Sequence, residues 1–148
     1  MGCAGANTVW VLFVGDAVAS NHRPYVLYRS GDGGQQWAAM LYESYTASSY
    51  PTARASQGPG SYPGPFATDG AQVAALLGWS GAGSGSFALA RTVDGGRSWQ
   101  QFPIAPLNGK GQTNQGMAFV NLHGWIATSE PKQSIYATSD GGRTWHDS

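Results

Sequence analysis

One eight-residue phrase occurs three times in this chain. It reads Ser30-Gly31-Asp32-Gly33-Gly34-Gln35-Gln36-Trp37, then Thr92-Val93-Asp94-Gly95-Gly96-Arg97-Ser98-Trp99, then Thr138-Ser139-Asp140-Gly141-Gly142-Arg143-Thr144-Trp145. A repeated [Ser/Thr]-x-Asp-Gly-Gly-x-x-Trp phrase requires similar units stacked side by side, each burying a face against its neighbour. The aspartates stand 62 and 46 residues apart. The shorter step carries a second echo, because Trp79 of Gly78-Trp79 and Trp125 of Gly124-Trp125 each lie 15 residues before the next aspartate. The unit is therefore about 46 residues, the length of one four-stranded blade of a β-propeller.

The intervening segments are strand-like. Residues 9–14 and 25–29 precede the first phrase, 73–79 and 87–92 the second, and 117–120, 125–128 and 134–138 the third. These are short apolar runs bounded by Gly, Asn, Ser and Pro, and none has a helical period. The expected fold is all-β: a single domain, 1–148, forming a propeller segment of about three four-stranded blades near 8–50, 66–107 and 115–148. The longer first step hides an insertion over 42–65, YESYTASSYPTARASQGPGSYPGP. Its four prolines lack the N–H a ladder needs, so it is expected to run as a loop on a blade rim. A shorter excursion spans 15–24. The first unit is expected to lack an opening strand and the last to stop barely into a closing one. Such an arc is either a fragment of a larger propeller or is completed by self-association into a ring, since closed propellers need four to eight blades.

Within the phrase, Asp-Gly suits a tight hairpin that needs positive φ. The Asp carboxylate and the Ser/Thr hydroxyl two residues before it are placed to bond the turn's own backbone. The Trp opens the outgoing strand, where its ring fills space between sheets. Ser30, Asp32, Gly33, Trp37, Thr92, Asp94, Gly95, Trp99, Thr138, Asp140, Gly141 and Trp145 are accordingly structural. Stacked units keep the three carboxylates apart, whereas carboxylate chemistry needs them within roughly 5–10 Å.

The three octapeptides resemble the Asp-box (BNR) repeat of sialidases, sortilin-type receptors, xyloglucan-degrading glycosidases and photosystem II stability/assembly factors. The run from Phe119-Val120 through Gly124-Trp125 and Tyr136-Ala137 to Trp145 looks most like the stability-factor branch. The resemblance implies a β-propeller whose boxes are turns at the blade edge, not the active site. It implies no catalytic residue here.

Charged residues make up 11% of the chain and the net charge is zero, against roughly 25% charged in a typical domain. There is no basic stripe for nucleic acid and no apolar run long enough to span a membrane as a helix. Cys3 is the single cysteine, so there is no internal disulfide. No apolar run precedes it, and Ala6 breaks a myristoylation pattern. Only two lysines, Lys110 and Lys132, in a chain rich in Gly, Ser, Thr and Tyr point to an exported protein.

Tyr42, Tyr45, Tyr50, Tyr62 and Arg54 in the insertion form the candidate binding surface, because tyrosine offers contact area at low entropic cost. His22 and Arg23 end the other excursion and are candidates too. The histidines lack metal-ligand spacing, and no cofactor or metal is implied. Nothing pairs two carboxylates as a glycosidase requires. The chain therefore reads as a non-enzymatic binding or assembly module presenting loops to a protein or glycan partner. The alternatives are a fragment of a sialidase-like or xyloglucanase-like glycoside hydrolase and a self-assembling structural subunit.

Overall fold

Each phrase closes a hairpin in its own sheet. The computed structural model describes residues 2–3, 7–18, 22–43, 54–80, 85–108, 115–129 and 133–148. The first sheet contains β1 (Gly2–Cys3), β2 (Val9–Val14), β3 (Tyr25–Ser30), β4 (Ala38–Tyr42) and β5 (Ser56–Gln57) in that order. The second contains β6 (Tyr62–Asp69), β7 (Val73–Ser80), β8 (Ser86–Thr92) and β9 (Gln100–Pro103). The third contains β10 (Gln115–Val120), β11 (His123–Thr128), β12 (Ser134–Thr138) and β13 (His146–Asp147). Neighbours run antiparallel except β5, which lies parallel to β4. The boxes link β3 to β4, β8 to β9 and β12 to β13.

The second sheet is the middle one. Its Ala74, Leu76 and Ala90 pack with Trp10, Tyr25, Leu27 and Leu41 of the first sheet. Its Ala75, Leu77, Phe87 and Leu89 pack with Phe119, Ile126 and Tyr136 of the third. β7 is therefore buried continuously from Ala74 to Gly78, as a strand covered on both faces must be. β11 instead alternates between exposed and buried, because only one of its faces is covered. Each fully buried Leu in these layers contributes about 1.5–3 kcal/mol. A 3-10 turn, Ala105–Leu107, carries Leu107 into the second layer. β6 touches both β1 and β10, so the sheets fan out from their first strands. This is an all-β partial propeller of three blades.

Three expectations need correction. An opening strand does exist in the first sheet, where β1 pairs Gly2 with Trp10 and Cys3 with Val9. Residues 42–65 do not all run as a loop: 56–57 form β5, and Pro63 and Pro65 lie inside β6. That strand tolerates them because it is the outermost of its sheet and shifts register between Pro63 and Phe66, the places where a missing N–H costs least. The Trp79/Trp125 echo does not mark equivalent positions. Trp79 pairs with Phe87 and Trp125 with Ala137, so the two stand at different heights in their hairpins. β7 and β8 are each two residues longer than β11 and β12. Equal chain separations therefore cross the two hairpins at unequal heights. By cross-strand register, the counterparts of Trp125 are Ala75, opposite Arg91, and Trp10, opposite Arg29.

Candidate functional site

The box side chains are consumed by their own turns. Oδ1 of Asp32 accepts from Ser30 Oγ at 2.7 Å and from the N–H groups of Gln35 and Gln36 at 3.0 and 2.9 Å. Asp94 accepts from Thr92 Oγ1 at 2.8 Å, from the Ser98 N–H at 3.0 Å and, on Oδ2, from Ser98 Oγ at 2.6 Å. Asp140 repeats this with Thr138 Oγ1, the N–H groups of Arg143 and Thr144, and Thr144 Oγ1 at 2.6 Å. Hydrogen bonds to the ionised form stabilise it. The Ser98 hydroxyl, followed by its N–H, thus holds the Asp94 carboxyl down at about 2. Thr144 holds Asp140 lower still, and the Gln36 N–H is the main cause lowering Asp32. Each hydroxyl at 30, 92 and 138 in turn accepts the N–H of the second box glycine. Both glycines of every box have positive φ, which an L side chain resists. Three carboxylates so engaged, in three sheets, shape turns. Among the described residues, no group of three or more His, Cys, Asp or Glu is placed to hold a metal.

The sequence-predicted binding residues do not gather into one surface. Tyr45 and Tyr50 lie outside the described residues. Tyr42 ends β4, half-buried, and pairs with Val26. The Tyr62 ring leans on Trp79, with centroids 5.3 Å apart. Nδ1 of His22 lies 3.1 Å from Oε1 of Glu43, a carboxylate only 3% exposed. Tyr25 beside it donates to the Gly60 carbonyl at 2.8 Å. Burial above all raises the Tyr25 pKa; the Gly60 bond opposes this and the Glu43 charge assists it. Arg23 donates its backbone N–H to Ser61 O and its Nε to Gly15 O. His22, Arg23, Tyr25 and Glu43 therefore fasten the two excursions to the first sheet.

Arg54 stands elsewhere. It lines an open depression of about 270 Å³ at the seam between the first and second sheets, with Arg29, Arg97, Met40, Gln72 and Asp94. Three arginines thus border a depression with one carboxylate, and that carboxylate is already held by its turn. Arg29 makes no hydrogen bond among the described residues; its guanidinium lies over the Trp10 ring, 5.6 Å from the centroid. Neither Arg97, inside a box, nor Arg29, immediately before one, stands among the binding candidates of the sequence. A signal was available: Arg29-Ser30 and Arg91-Thr92 put an arginine immediately before two boxes. In the first and second sheets that place aims an arginine at the next sheet.

No family model matches the chain, and no curated protein matches it. Among solved structures, it is similar to YCF48 bound to D1 peptide, with 19% identity, a TM-score of 0.47, and coverage of 93% of this chain and 43% of that one. It is also similar to YCF48 from Cyanidioschyzon merolae, with 19% identity, a TM-score of 0.48, and coverage of 96% and 43%. The chain thus spans less than half the length of these structures.

Proposed function

We propose that the chain is a non-enzymatic binding module and that the seam between its first two sheets receives an acidic, carboxylate-bearing peptide segment. The observation that carries this reading is the convergence of Arg29, Arg54 and Arg97 on one depression whose single carboxylate, Asp94, is engaged by Thr92 and Ser98. Arginine presents a planar fork that matches a carboxylate with two parallel N–H bonds. Arg54 and Arg97 are exposed, so their side chains reach a ligand without rearrangement of the sheets. Met40 adds an apolar surface beside the charges.

The test is fluorescence anisotropy with labelled peptides of one length carrying several aspartates, or asparagines in their place. The acidic peptide should bind, more weakly as salt rises, and the amide version should not. Arg54→Ala and Arg97→Ala should each weaken binding about tenfold, or about 1.4 kcal/mol, with the melting temperature unchanged. Equal binding of both peptides, or none of either, overturns the reading.

A further inference from the structure

At each of the two internal seams an arginine faces a turn of the next sheet, and the two turns differ by one residue. Asp69 of β6 pairs with Val73 of β7, so Gly70, Ala71 and Gln72 form a three-residue turn. Val120 of β10 pairs with His123 of β11, and only Asn121 and Leu122 lie between them. Both turns are tied to their box in one way. The Gln72 carbonyl accepts the Gly95 N–H at 2.8 Å, and the Leu122 carbonyl accepts that of Gly141 at 2.9 Å. Gln72 therefore corresponds to Leu122 and Ala71 to Asn121, and Gly70 is the additional residue. Loop length selects the geometry of a hairpin turn, so one added residue re-aims the turn's carbonyls.

Arg91 and Arg29 show the consequence. Arg91 donates Nη2 to the Asn121 carbonyl at 2.8 Å. Arg29, at the same place before its box, donates to no carbonyl of the β6–β7 turn. Its guanidinium is nevertheless held in position, over the Trp10 ring and between two boxes. A Cβ built on Gly31 would sit 3.6 Å from its Nη1, and one built on Gly95 would sit 3.6 Å from its Nη2. The group is reached from two sides, because Arg29 lines both the seam depression and a second depression of about 260 Å³ with Gly31, Gln36 and Ala38. Where the second seam has the apolar Leu122, the first has Gln72, whose side-chain amide lies beside Gly95 and lines the seam depression.

We infer that Arg29, with Gln72 beside it, is the inner anchor for the ligand's carboxylate, and that the three-residue β6–β7 turn is what leaves it free for that task. This inference rests on the peptide reading and assigns roles within the same site. The ligand's carboxylate takes against Arg29 the place that the Asn121 carbonyl takes against Arg91. A carboxylate accepts two parallel N–H bonds from the guanidinium fork, where a carboxamide puts a donor against a group that can only donate. Arg54 and Arg97 are exposed, so water and salt screen their pull and leave them the outer, steering part of the attraction. Arg29 is half-buried and sets which group is accepted.

Removing Gly70 together with Ala71→Asn gives the β6–β7 turn the length and first residue of the β10–β11 turn. Arg29 should then find a carbonyl. The melting temperature should rise by a few degrees, while affinity for the labelled acidic peptide should fall about tenfold. Stability and affinity moving in opposite directions cannot come from misfolding. Arg29→Lys in the original turn keeps the charge but not the fork. It should weaken the acidic peptide about tenfold with the melting temperature unchanged, and it decides alone if the shortened chain does not fold. Failure of the unaltered chain to bind the acidic peptide overturns the peptide reading, and this inference with it. Where the unaltered chain binds, equal affinity in the folded short-turn variant or in Arg29→Lys overturns the inference alone and leaves Arg54 and Arg97 to hold the peptide.

Discussion

The two seams of this molecule use the same parts and end differently. Between the second and third sheets, Arg91 is 7% exposed, lies over Phe119 and donates to the Asn121 carbonyl at 2.8 Å. The Asp69 carboxylate accepts the Asn121 N–H at 2.6 Å, so one turn residue is clasped by both charges of the neighbouring sheet. Asn121 sits there at φ 54, a conformation asparagine tolerates better than most residues. Between the first and second sheets, Arg29 occupies the same register as Arg91 but lies beside Gln72 and Arg54 in an open depression. A repeat thus fixes where an arginine stands, and the turn it faces decides whether it closes a seam or lines a site. The closed seam is built for rigidity and the open one has room for a ligand.

The sharpest way to break this comparison is to add a methyl group at the second glycine of each box. Gly142→Ala meets the fully buried, branched Leu89. It should cost about 3 kcal/mol, combining left-handed backbone strain with overpacking. Gly96→Ala meets the sulfur end of Met40, an unbranched side chain that can shift, and should cost about 2 kcal/mol. Gly34→Ala faces no preceding sheet and should cost only the backbone strain, about 1 kcal/mol. Urea midpoints measured together would rank them. Equal costs would mean that the seams do not differ in tightness.

Removing the arginines should give the next largest difference. Arg91→Ala forfeits a charged hydrogen bond and a cation–π contact and leaves the Asn121 carbonyl without its donor, at about 2–3 kcal/mol. Arg29→Ala forfeits only the contact over Trp10, at about 0.5–1 kcal/mol. Comparable losses in chemical denaturation would show that Arg29 also holds its seam together.

The repeat made the number of sheets and the placement of the hairpins legible, because turn chemistry is local. Strand register was not legible. Trp79 and Trp125 share a spacing but not a height, since spacing counts residues around a hairpin and not rungs of its ladder. Pro63 and Pro65 misled because proline forbids a central strand but not an edge one. Of the candidate site, only Arg54 was found from the sequence. Arg29 and Arg97 were missed because their convergence depends on how two sheets meet, which no single unit encodes.

The smallest expected effect lies within the boxes and depends on one hydroxyl. Ser98 and Thr144 each donate Oγ to the second oxygen of their aspartate at 2.6 Å, while Gln36 occupies that place in the first box and gives only its N–H. A carboxylate whose folded pKa is lowered stabilises the fold fully above its unfolded value, near 3.8, and that contribution disappears as pH falls through the folded value. For Asp94 the loss should run from about pH 4 to about 2, and for Asp140 it should extend to lower pH. Asp32, which lacks that hydroxyl donor, should protonate first as acid is added. Gln36→Thr supplies the missing hydroxyl and should move the Asp32 titration, followed by carboxyl NMR, down toward that of Asp94. The Asp94 and Asp140 curves should stay where they are. If Asp32 does not move, the first box is held apart by something other than its lost donor.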